Sequence, residues 1–102
     1  MEDQPADRLP PSEGQDWLAS DGEALRALVT RYLRGERRVN AGIEQLADDL
    51  ARRARARHET PERLLIAIRA LWRDLGLSQA DRLQAAALYE QLVRQVIEKY
   101  YG

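Results

Sequence analysis

Apolar positions along residues 60–77, TPERLLIAIRALWRDLGL, repeat with the period of a helix, and both ends of the run carry stop signals. Thr60 stands where an N-cap would, and Pro61 falls at the first helical position, where a missing N–H costs nothing. Glu62 lies in the first turn, on the favourable side of the helix dipole. Gly76 is placed to take the left-handed conformation that ends helices, with Leu77 folding back in a Schellman-type stop. Leu64, Leu65, Ile68, Leu71, Trp72 and Leu75 cover one broad arc, and Ile66 and Ala70 lie on the opposite side. A helix apolar on two sides wants neighbours on both, so this one is expected at the centre of the fold.

Three further helices follow from the same kind of pattern. Ser20 and Glu23 form a capping box before Leu25, Leu28, Val29, Tyr32 and Leu33, which predicts a helix over about 21–34, closed by Gly35. A second helix, about 40–57, has Asn40 as its cap and Val39, Ile43, Leu46, Leu50 and Ala54 on one stripe. Its outer face pairs Asp48 with Arg52 and Asp49 with Arg53, acid before base. After the third helix, Ser78 caps a fourth over about 79–100. There Ala85, Leu88, Tyr89, Leu92, Val93, Val96, Ile97 and Tyr100 face one way, while Gln84, Glu90, Gln91, Arg94, Gln95 and Glu98 face the other.

Short links between long amphipathic helices favour antiparallel neighbours. The expected fold is all-α, a small antiparallel four-helix bundle over residues 20–102, preceded by a flexible acidic arm at 1–19. The core is expected to contain Leu25, Leu28, Tyr32, Ile43, Leu46, Leu50, Leu64, Ile68, Leu71, Trp72, Leu75, Leu88, Leu92 and Val96. Roughly two dozen large apolar side chains, each worth about 1.5–3 kcal/mol when buried, suffice without a disulfide or a metal. Ser12 and Gln15 make a further capping box in the arm, and Trp17 is expected to dock on the bundle or on a partner.

Charge sharpens this division. The chain carries a net −1, but residues 1–24 hold seven acids against Arg8, a net −6, and the remainder holds a net +5. An acidic arm therefore precedes a mildly basic body, which suggests either a solvated tail or contact between the two. The absence of cysteine removes thiolate metal sites and cysteine nucleophiles. The acidic N-terminus lacks the basic and apolar regions of a secretory signal, and no apolar run approaches the roughly 20 residues of a membrane span. The expected location is the cytoplasm. Sixteen basic residues include a single lysine, Lys99, which with the many alanines points to GC-rich bacterial coding.

Catalytic chemistry finds little footing. His58, Glu59 and Glu62 resemble a helical HExxH zinc pattern, but Glu62 replaces the second histidine and Pro61 interrupts the helix. The segment reads instead as a turn, with Glu59 within reach of Arg63. Ser12, Ser20, Thr60 and Ser78 are committed to caps, Thr30 lies on an outer face, and one histidine is the sole candidate base. No glycine-rich loop follows a strand, and Asp48 and Asp49 diverge by about 100° on their helix. No enzymatic activity, cofactor or metal is expected.

Two binding functions remain. Arg52, Arg53, Arg55 and Arg57 cluster within six residues and suit phosphate contacts, so a nucleic-acid accessory role over 52–73 is the alternative. A helix-turn-helix reader is disfavoured because the third helix is apolar where bases require polar contacts. The favoured expectation is a protein–protein interaction, regulatory or assembly module, its partner another protein or a second copy of the chain. Trp17, Ile66, Ala70, Tyr100 and Tyr101, with Leu83 beside them, are the apolar and aromatic positions expected to serve it.

Overall fold

Local capping signals set the helix ends wherever a hydroxyl or a glycine stood at the right place. The computed structural model describes residues 18–36 and 38–102, within which the chain forms five helices. They are α1 (Ala19–Leu33), α2 (Asn40–Ala56), α3 (Pro61–Asp74), α4 (Gln79–Gln84) and α5 (Ala86–Tyr101). The expectations for residues 1–17, including the Ser12 cap and Trp17, lie outside the described residues.

The all-α expectation holds, and α3 starts and stops where expected; at its end Gly76 N–H donates to Arg73 O at 3.1 Å, without the second bond from Leu77 that a Schellman stop adds. The Thr60 hydroxyl accepts a hydrogen bond from Arg63 N–H at 3.2 Å, Pro61 opens the first turn, and Gly76 takes φ +67°. The Ser78 hydroxyl likewise accepts from Asp81 N–H at 3.1 Å. His58 closes α2 at φ +60°, donating its backbone N–H to Arg55 O while Glu59 N–H reaches back to Ala54 O, a complete Schellman stop. The turn expected at His58 and Glu59 is therefore present. Glu59, however, pairs with Arg57 at 3.8 Å, where Arg63 was expected.

Four other local expectations are corrected. α1 begins at Ala19 with Leu18 at the capping position, so Ser20 lies inside the first turn. The physical reason is burial: Leu18 is wholly enclosed in the core, and the helix starts directly after it. Asn40 is the first residue of α2, after a buried Val39, and its side-chain oxygen accepts from Gln91 Nε2 at 2.9 Å, tying α2 to α5. Arg53 leaves Asp49 to Arg52 and pairs instead with Asp21 of α1. The fourth predicted helix is divided at Ala85, whose ψ of 5° breaks the helical run. No glycine or proline stands there. Ala85 is fully buried while α4 contributes no buried residue, so packing sets the break.

The centre of the fold also moves. The largest helix–helix interface is α2 against α5, and α3 packs beside that pair against α1, α2 and α5. α2 buries Ile43, Leu46, Ala47, Leu50, Ala51 and Ala54 in one stripe, and its alanines let the neighbouring helix come close. Leu88, Leu92 and Val96 of α5 meet it in the same core. Of the residues expected inside, Tyr32, Leu71 and Trp72 are only partly buried; the rest are enclosed. Trp72 rests on Tyr89 with ring centroids 4.9 Å apart. At the far end of α3, Arg26 of α1 donates to Leu75 O at 3.4 Å and Asp74 O at 3.5 Å, placing a cation at the helix C-terminus.

Candidate interaction surface

α3 turns its two sides to different surroundings. Leu64, Ala67 and Ile68 face the core, and Ala70 is buried outside that cluster. Ala70 was expected on the outer face but is 4 % exposed, and with no Cβ branch or longer side chain it needs little cover to be enclosed. Ile66 remains outside at 62 % exposure. Two other large apolar side chains are comparably open, Leu83 on α4 at 73 % and Tyr101 at the end of α5 at 71 %. The three stand on three different helices; a single exposed apolar side chain is ordinary on a protein surface, and a contiguous group of them marks a partner.

Tyr100 serves a different purpose from its neighbour. Its hydroxyl donates to Glu59 O at 2.6 Å, fastening the end of α5 to the turn before α3, and its partly buried ring lies edge-on to Tyr101 at 5.3 Å. Tyr100 thus helps hold Tyr101 in place while its own polar tip is used within the fold. Of the expected partner-binding positions, Ile66 and Tyr101 are open, Ala70 and Tyr100 are taken up internally, and Trp17 lies outside the described residues.

The arginine cluster is largely committed. Arg52 bonds to Asp49 and stands 3.4 Å from Asp48, and the bond to Asp49 is the main influence holding its guanidinium charged. Arg53 pairs with Asp21, and Arg57 lies 3.8 Å from Glu59. Arg55 forms no ion pair among the described residues; with Asp48, Ala51, Arg52, Ala56 and Lys99 it lines an open groove of about 490 Å³ between α2 and α5. Lys99 itself reaches Glu44 at 3.4 Å, so carboxylates border the basic groove.

Sequence reasoning missed the Asp21–Arg53 pair. Asp21 is 5 % exposed, the one buried charged residue among those described. Burial raises its carboxyl above the ordinary range, Arg53 pulls it back, and Asp49 adds to the rise. The sequence placed Asp21 in an N-terminal turn, a good solvated position for an acid, and no spacing along one helix reports a partner 32 residues away.

Among the described residues no three His, Cys, Asp or Glu side chains converge on a metal-sized site, and no helix is long and apolar enough to cross a membrane. No protein-family model, curated protein or solved structure matches this chain.

Proposed function

We propose that this chain is a protein–protein interaction or assembly module without catalytic activity, built as a small helical body whose long helices run antiparallel, with the acidic residues before Leu18 as its arm, and acting in the cytoplasm. The supporting observation is the exposure of Ile66, Leu83 and Tyr101 on three different helices, since burying such side chains against a partner is worth about 1.5–3 kcal/mol each. The partner is another protein or a second copy of the chain.

The alternative, nucleic-acid binding through Arg52, Arg53, Arg55 and Arg57, draws less support. Carboxylates already hold three of those four side chains, and each would have to be released before a phosphate could take its place.

Tagged full-length protein recovered from its native cells should carry a stoichiometric protein partner, or a second copy, and Ile66→Asp with Leu83→Asp should lose it while remaining folded. Recovery of nucleic acid, with binding that falls steeply as salt rises, would return the assignment to the alternative.

A further inference from the structure

The outer face of α3 combines charge and apolar surface in one stripe. Glu62, Ile66, Arg69 and Arg73 recur at i, i+4, i+7 and i+11, with Arg63 at their margin, and all five are exposed. Unlike Arg52 and Arg53 of α2, Arg63, Arg69 and Arg73 form no ion pair among the described residues. Three free cations and one acid therefore surround an isoleucine that is 62 % exposed. Such a face suits a segment that is acidic and carries a few apolar side chains.

The chain contains one segment of that description. Residues 1–17 hold Glu2, Asp3, Asp7, Glu13 and Asp16 against Arg8, with Leu9 and Trp17 as apolar anchors. The first turns of α1, from which they extend, lie against α3, where a Cβ on Gly22 would stand 3.5 Å from Leu71 Cδ2, and against α2, where Asp21 pairs with Arg53. Leu71 is on the inner side of that helix, and the arm must pass around a cylinder about 10 Å across to reach the stripe. Seventeen residues extend to about 56 Å, well beyond that path. Tethering supplies a local concentration on the order of millimolar, enough for a weak electrostatic contact.

We propose that residues 1–17 dock on the outer stripe of α3, their carboxylates against Arg63, Arg69 and Arg73 and an apolar side chain against Ile66. The proposal rests on the reading of Ile66 as an interaction residue and adds its occupant within the same molecule, so that a partner must displace the arm to reach this face.

The chain has no cysteine, so Gln4→Cys gives a single site for a nitroxide label in the full-length protein. Amide signals of residues 62–73 should be broadened at low salt, and the broadening should disappear at about 0.5 M salt, where screening acts within about 4 Å. The double substitution Arg69→Glu and Arg73→Glu should remove it as well. Broadening centred on the groove at Arg52, Arg55 and Lys99, or spread evenly over the body, would overturn the proposal. Broadening that passes from a labelled chain to an isotope-enriched unlabelled one in a mixture would also overturn it, by making the occupant a second copy's arm. The readout uses the isolated protein, so it stands or falls independently of whether a partner is recovered from cells.

Discussion

α2 and α3 carry the same kind of charge and put it to opposite uses. In α2 and at its end, Arg52, Arg53 and Arg57 meet Asp49, Asp21 and Glu59, so the densest run of arginines in the chain is mostly paired within the fold. In α3 the arginines are more widely spaced, yet Arg63, Arg69 and Arg73 stay exposed and form no ion pair among the described residues. Density of charge along a sequence is thus a poor guide to availability. What decides it is whether a carboxylate stands within reach, on the same helix for Arg52, on the adjoining turn for Arg57 and on another helix for Arg53. Arg53 finds its partner because α1 packs against α2; among the described residues the arginines of the outer face of α3 have none.

The sharpest way to break this contrast is within α3 itself. Ile68 is wholly buried and Ile66 is 62 % exposed, so Ile68→Asp should unfold the domain, a loss of about 4 kcal/mol or more. Ile66→Asp should stay within about 0.5 kcal/mol of the wild type in thermal denaturation. Equal melting of the two variants would show that the helix is rotated from the orientation described.

Arg53→Ala comes next. It leaves Asp21 buried without its counter-charge and should cost about 2 kcal/mol, below the 3–5 of a fully buried pair because the Arg53 side chain is 37 % exposed. Arg69→Ala should fall within about 0.5 kcal/mol. Urea titrations that put the two at the same midpoint would remove the distinction between paired and free arginines.

The same pair predicts a pH dependence. Burial holds the Asp21 carboxyl above its ordinary 3.8, so the folded protein retains a proton that the unfolded chain has already released. The stability this residue contributes is fully present below 3.8 and is lost as pH rises through the folded value. Asp21→Asn should flatten that part of the stability curve, measured by denaturation at a series of pH values, and an unchanged slope would contradict the burial of this group.

The smallest expected effect concerns the helix ends. α2 stops on His58 at φ +60° and α3 on Gly76 at φ +67°, the same left-handed stop built from different residues. His58→Gly should stabilise the protein by about 0.5–1 kcal/mol, and Gly76→Ala should destabilise it by a similar amount, both read from melting curves.

The sequence by itself determined what depends on residues close together in the chain. Helical periodicity, the Thr60 and Ser78 hydroxyls, Pro61, Gly35 and Gly76 act within one turn, and the helix ends they specify are where the pattern places them. Most of the core was legible for the same reason, since a large apolar side chain on a regular stripe has few alternatives to burial. Ile66 and Tyr101 were legible as open positions on that logic too.

Only the tertiary structure decided the rest. Which helix lies at the centre depended on Ala47, Ala51 and Ala54, small residues whose value is the close approach they permit and which a scale of hydrophobicity ranks low. Burial of Leu18 displaced the Ser20 cap, burial of Ala85 divided the last helix, and burial of Ala70 removed it from the outer face. The fate of Arg53 was likewise set across helices. Coulomb attraction acts through space over a few ångströms, and Asp21 comes within that range of Arg53 only after α1 and α2 have packed together.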